Sequence, residues 1–201
     1  MRRLLFPAML AAVVSLVACA TPPANRSLET YQDPAGLFSS RLPDDHAIQV
    51  IPQGGEMAPG VTVLSGVTTS PQSSGQTGRL SVGSQDRSTF LIYALSSDTL
   101  ATAADVESLL TGDAAITLDT EETFAFPDGP GTLIVGTYKG DTQDLGVAAG
   151  FLVHDSVGYM VIEVFPPGQW ASQEADFREV LSSFHAGGAL GAAAVPLPSA
   201  G

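Results

Sequence analysis

Alternating apolar and polar positions, punctuated by Gly, Pro and Asp, divide the middle of the chain into short strands. Phe38 to Leu42 runs into the turn Pro43-Asp44-Asp45, and His46 to Ile51 alternates as far as Pro52. Val61 to Val67 is followed by Thr68 to Gly78, a stretch rich in Ser, Gly and Gln with no apolar residue, which predicts a loop. Arg79 to Val82 and Thr89 to Leu95 come next. The second of these, Thr-Phe-Leu-Ile-Tyr-Ala-Leu, is apolar on both faces and predicts a central strand. Ala115 to Leu118, Thr132 to Tyr138, Val147 to Val153 and Tyr159 to Phe165 complete the set. Turns fall at Asp128 to Gly131 and Gly140 to Asp144, and His154 to Gly158 predicts a hairpin loop.

Two segments switch to helical period. Thr102-Ala103-Ala104-Asp105 has the form of a capping box, with Val106, Leu109 and Leu110 on one face behind it and Gly112 as the stop. A second helix is predicted to begin near Ser172, with Glu174 and Asp176 facing the positive end of its dipole. Phe177, Val180, Leu181 and Phe184 then fall at i, i+3, i+4 and i+7, a stripe suited to packing on a sheet. Glu174 and Arg178 are placed to pair at i, i+4 on the solvent side. No internal repeat is present.

The two ends read differently from the middle. Arg2 and Arg3 precede an apolar run from Leu4 to Val17, which exits through Ala18, Cys19 and Ala20: an export signal. The run is short for a spanning helix and contains Pro7. It ends in Leu16-Val17-Ala18-Cys19, which resembles the lipobox of bacterial lipoproteins. The chain's one cysteine occupies the slot that receives the lipid, as a thiolate nucleophile must. The expected anchor is therefore a lipid on Cys19, its acyl chains inserted in the membrane. Ordinary secretion with cleavage after Ala20 is the alternative, and it leaves an exported thiol unexplained. Ala20 follows the cysteine where an aspartate would retain the protein at the inner membrane. By resemblance to that sorting rule the expected address in a diderm host is the outer membrane, facing the periplasm. The expected organisation is a signal at 1–18, a Pro-rich tether at 19–30, one globular domain at 31–185, and a disordered Gly/Ala-rich tail at 186–201.

Composition narrows the function classes. Of the 201 residues, 21 are acidic and 8 basic, a formal net charge of −13. That excludes nucleic-acid binding through a basic groove and opposes adhesion to anionic lipid. A single cysteine excludes an internal disulfide framework, a Cys-based zinc cluster and a CxxC redox centre. The mean hydropathy of +0.22 is raised by the two biased ends.

The order of elements carries a resemblance. The early segment Tyr31-Gln-Asp-Pro-Ala-Gly-Leu-Phe38-Ser-Ser-Arg-Leu-Pro43, the hairpin strand Gly158-Tyr159-Met-Val-Ile-Glu-Val-Phe165 and the closing helix Ala175-Asp-Phe-Arg-Glu-Val-Leu-Ser-Ser-Phe184 resemble the PsbP-like superfamily. That superfamily includes extrinsic subunits of photosystem II, a nuclear-import factor and bacterial lipoproteins of the DcrB kind. The closing Leu181-Ser182-Ser183-Phe184 is the most telling piece, and the resemblance spans Tyr31 to His185. The chain departs from it after the early proline, where Asp44-Asp45-His46 stands in place of a frequent Gly-Trp. The resemblance implies an α+β fold, an antiparallel β-sheet covered by helices in an α/β/α sandwich. It also implies a non-enzymatic role in docking, assembling or chaperoning envelope proteins, with no cofactor.

Candidate chemistry is sparse. His154-Asp155 beside Ser156, or His46 behind Asp44-Asp45, supplies the imidazole and carboxylate of a hydrolase. Yet adjacent residues of a strand point to opposite faces, and a solvated hairpin loop accounts for the first set. No Gly-x-Ser-x-Gly elbow occurs, and Lys139 is the one lysine. The three histidines, His46, His154 and His185, are too scattered for a zinc site. Asp141 and Asp144, with Asp119, Glu121 and Glu122 nearby, offer oxygen ligands for calcium, without the spacing of an EF-hand. The same acids equally form a solubilising or docking surface. Trp170, after Pro166-Pro167-Gly168, is either an interface anchor or a cap on the core beside the second helix. The reading that unites these features is a lipid-anchored, non-catalytic envelope domain with a protein partner, with Trp170, Asp141 and Asp144 as possible contacts; a lipid-anchored hydrolase and an acidic calcium-binding module are its alternatives.

Overall fold

The computed structural model describes residues 27–71, 88–112, 116–140 and 143–187. The expected signal, Cys19, the strand at Arg79 to Val82, Asp141 and the tail from residue 188 lie outside the described residues.

A large antiparallel sheet organises the molecule. Its strands are β3 (His46–Ile51), β5 (Val61–Pro71), β6 (Thr89–Ser96), β10 (Val157–Phe165), β9 (Asp144–His154), β8 (Gly129–Lys139) and β7 (Ile116–Phe126), in that order across the sheet, with the short β4 (Glu56–Ala58) also paired to β5. A second, three-stranded sheet has the order β1 (Leu28–Gln32), β2 (Phe38–Pro43) and β11 (His185–Ala186). The helices are α1 (Ala103–Thr111) and α2 (Trp170–Ser182).

The central strands are apolar on both faces because both faces are covered. Along β10, Tyr159, Val161 and Phe165 join Phe177, Val180 and Leu181 of α2 and Phe38 and Leu42 of the small sheet in one core. Met160 and Ile162 point the other way, into a second core with Val106 of α1, Leu95 and Phe151. The layers are thus α2 with the small sheet, the large sheet, and α1. This is the α+β sandwich expected from the sequence, and β6 is one of its interior strands.

Close approach explains two glycines of β9. A Cβ on Gly146 would stand 2.2 Å from the Phe165 ring, and one on Gly150 would stand 2.7 Å from a methyl of Leu181. The α2 stripe therefore reaches the sheet because β9 has no side chain there. At the β9–β10 hairpin, Asp155 and Ser156 both adopt positive φ, 48° and 63°, the backbone of a two-residue primed turn. The capping box of α1 is complete: Thr102 Oγ1 accepts from the Asp105 N–H at 3.3 Å, and Asp105 Oδ2 accepts from the Thr102 N–H at 2.8 Å.

Several boundaries differ from the sequence expectation. Residues 28–30, assigned to the tether, form the start of β1, and Leu28 is buried in the first core. At the other end the fold continues past His185: Ala186 is buried in β11 opposite Phe38, and the Gly187 N–H donates to the Leu37 carbonyl at 2.7 Å. The loop expected from Thr68 is strand as far as Pro71, because Thr68 and Thr69 pair with β3 on one side and β6 on the other. The strand expected at Ala115 to Leu118 runs on to Phe126 through its acidic residues. α2 begins at Trp170, two residues early, because the indole packs on Phe165 and Phe177 and draws the first turn with it. Asp176 accordingly lies past the first turn and is buried.

Candidate functional site

Each candidate residue can be followed to its partners. His46 opens β3 and is 5% exposed. Its Nδ1 lies 2.9 Å from Thr69 Oγ1, which also accepts the Phe90 N–H at 3.3 Å. Its ring lies against Phe90, and Nε2 is 3.7 Å from an Asp45 carboxylate oxygen at the surface. The imidazole is thus built into the junction of β3, β5 and β6.

His154 closes β9 and donates from Nδ1 to the Asp128 carbonyl at 3.2 Å. Asp155 sits on the other side, 3.5 Å from Nε2, with its carboxylate in solvent. The group orienting the ring is therefore a main-chain carbonyl rather than a buried carboxylate, so the pair lacks the arrangement of a Ser-His-Asp relay. Asp128 has a second role unremarked in the sequence: its Oδ2 accepts the Ala186 N–H at 2.9 Å and lies 3.4 Å from His185 Nδ1. Two histidines distant in sequence thus meet at one turn. His185 stands in β11, just past the end of α2.

The acidic residues expected to cluster are dispersed by strand geometry. Glu121 and Glu122 are neighbours on β7 and so face opposite sides of the sheet. Glu122 pairs with Arg178 at 2.6 Å, on the α2 side. On the other side, partial burial and the charge of Glu121 raise the carboxyl of Glu107 in α1 above its ordinary value. Asp144 is exposed at the start of β9, paired in register with Lys139. Among the described residues no three His, Cys, Asp or Glu side chains form a metal-sized group. Arg178 also meets Glu174 at 2.9 Å, the i, i+4 pair expected from the sequence.

Trp170 is half-buried rather than a protruding anchor. Its ring stacks on Phe165 and meets Phe177 edge-on, with centroids 5.9 and 6.1 Å apart. It caps the core at the start of α2.

Sequence reasoning passed over two buried acids, Asp33 and Glu163, and placed a third, Asp176, on the solvated first turn of its helix. Asp33 accepts from Ser65 Oγ at 2.5 Å and from the Leu37 N–H at 3.0 Å, joining the small sheet to the large one. Glu163 is fully buried in β10, and Asp176 is buried in α2. The signal for Glu163 was present: one acid within a strand apolar on both faces. Among the described residues the bases are Arg41, Lys139 and Arg178, and both arginines are paired with glutamates. The outward surface is accordingly anionic.

The fold, an antiparallel sheet covered by helices, is similar to that of PsbP. The solution structure of cyanobacterial PsbP (CyanoP) from Synechocystis sp. PCC 6803 is similar over 85% of this chain and 98% of its own, at 18% identity and a TM-score of 0.50. The Ran-binding protein Mog1p of Saccharomyces cerevisiae is similar over 81% of this chain and 97% of its own, at 10% identity and a TM-score of 0.48. No family model matches the chain, and no curated sequence does.

Proposed function

We propose that the chain is a lipid-anchored domain of the bacterial cell envelope that binds or helps assemble protein partners at the membrane surface and performs no catalysis of its own. The observation that carries this reading is the division of labour among polar side chains. The His46 ring is spent on Thr69 inside the fold, and the half-buried His154 ring on the Asp128 carbonyl at the hairpin end. The groups left facing outward are mainly acids, suited to docking a cationic surface. Among the described residues no helix is long and apolar enough to cross a membrane. The anchor is assigned to the lipobox cysteine, Cys19, and the residue after it, Ala20, favours the outer membrane of a diderm host.

Two measurements test the reading. Wild-type protein is expected to incorporate labelled palmitate and, after processing, to have the mass of a chain starting at Cys19 plus acyl groups; Cys19→Ala should abolish the label. A mature chain starting at Thr21 without lipid would make it a free secreted protein. Crosslinking and pull-down from its own membranes should then return a reproducible partner, one that the unanchored Cys19→Ala protein recovers poorly.

A further inference from the structure

Among the described residues the large sheet ends at β7 on one side and at β3 on the other, and these edges are built differently. The β7 edge carries Asp119, Glu121 and Glu122, and its register shifts between Leu118 and Thr120. Charges and bulges are the devices by which a free edge is kept from pairing with another chain. β3, at the opposite edge, has neither. It reads His-Ala-Ile-Gln-Val-Ile, has no acid, lysine or arginine, and stays in register with β5 over six consecutive pairs. Among the described residues no strand pairs with its outer side.

The face of this edge is also unusual. Ile48 and Val50 are 47% and 51% exposed, and they point the same way because they are two residues apart on a strand. Opposite them on β5 stand Thr69 and Val67, both fully buried. The apolar surface of the first core therefore runs out to solvent across β3. Isolated exposed hydrophobics need no explanation, but adjacent ones on an unguarded edge form a strip.

Charge selects the occupant. Asp44 and Asp45 precede β3, and Glu56 follows it, all three exposed. A second copy laid antiparallel along β3 would bring the acids of one chain towards those of the other, a repulsive arrangement. We propose that β3 is a docking edge for a different protein, which adds an extended strand whose alternate apolar side chains pack on Ile48 and Val50 and whose flanks carry lysine or arginine facing Asp44, Asp45 and Glu56. This rests on the protein-binding reading above and gives it a location.

The test places a photoreactive phenylalanine derivative at Val50, and separately at Glu121 on the other edge, in the full chain within its own membranes. The expected result is an adduct from Val50 whose crosslinked peptide, from another protein, alternates apolar residues between basic flanks. Adding Ile48→Lys should lower that adduct's yield about tenfold, the scale of one hot-spot contact, without changing the melting temperature, since Ile48 is exposed. Adducts from Glu121 alone would overturn the β3 assignment and leave the binding reading standing. A Val50 adduct with a second copy of this chain, or with an acidic peptide, would overturn the proposed occupant. Absence of adducts at both positions would remove the binding reading as well.

Discussion

Gly150 shows how one residue sets the distance between two layers. With Leu181 of α2 and the Phe126 ring both within 3.0 Å of where its Cβ would lie, Gly150→Ala forces α2 or β8's neighbour strand to move. Overpacking of this kind costs about 1–3 kcal/mol, to be read as a lowered urea midpoint at unchanged m-value. His154 sits at the other extreme. Its ties are a hydrogen bond to the Asp128 carbonyl and a solvent-exposed approach to Asp155, so His154→Ala should cost about 1 kcal/mol and leave the cellular phenotype intact. Loss of phenotype with an unchanged melting temperature would instead favour the hydrolase. The candidate residues themselves were visible in the sequence, but their partners were not. Thr69 lies 23 positions from His46, and Asp128 lies 26 from His154, and residue type cannot encode such separations.

Elements were legible wherever burial is one-sided and periodic. The α2 stripe Phe177, Val180, Leu181 and Phe184 is buried as its spacing implies, and the Thr102 capping box starts α1. β7 was half-missed because an edge strand wetted along much of its length has no hydrophobic alternation to read: Leu118 to Glu122 is exposed throughout. β1 and β11 were missed for a related reason. Each is short, and each is held by pairing with β2, a tertiary contact with little local signal. Two substitutions separate the kinds of support. Leu181→Asp buries an unpaired charge against Gly150 and is expected to cost several kcal/mol, enough to unfold a marginal domain. Thr102→Ala removes a cap in solvent and should cost about 1 kcal/mol, seen as faster hydrogen exchange in the first turn of α1. Asp105 works with that cap: the Thr102 side-chain hydrogen bond, then backbone bonds, hold its carboxyl below the ordinary value. The stability it contributes is thus present above the ordinary carboxylate range and is lost as pH falls through the lowered value.

At the scale of the whole molecule, the sandwich was legible through the order of its elements, whereas the way its layers are cross-linked by buried polar groups was not. The phenols packed against the two cores make stability depend on pH at the alkaline end. Burial raises the phenols of Tyr31, Tyr93 and Tyr159 above 10.0, and for Tyr31 and Tyr159 nearby aspartates add to the effect. A raised phenol means that the unfolded chain releases its protons first as pH rises. The stability contributed by these three groups is therefore complete below about pH 10 and is lost as pH climbs through the raised values. The melting temperature is expected to be level up to about pH 9 and to fall beyond it, with the ultraviolet phenolate signal of the folded protein appearing at higher pH than that of the protein in urea. Tyr93→Phe, which removes a phenol raised by burial alone, should soften the fall. Tyr31→Phe should do the same with no stability cost at neutral pH, since the buried Tyr31 hydroxyl has no hydrogen-bond partner among the described residues. Phenols that titrate together at their ordinary value while the protein remains folded would show that the two cores admit water at these rings, contrary to the packing described.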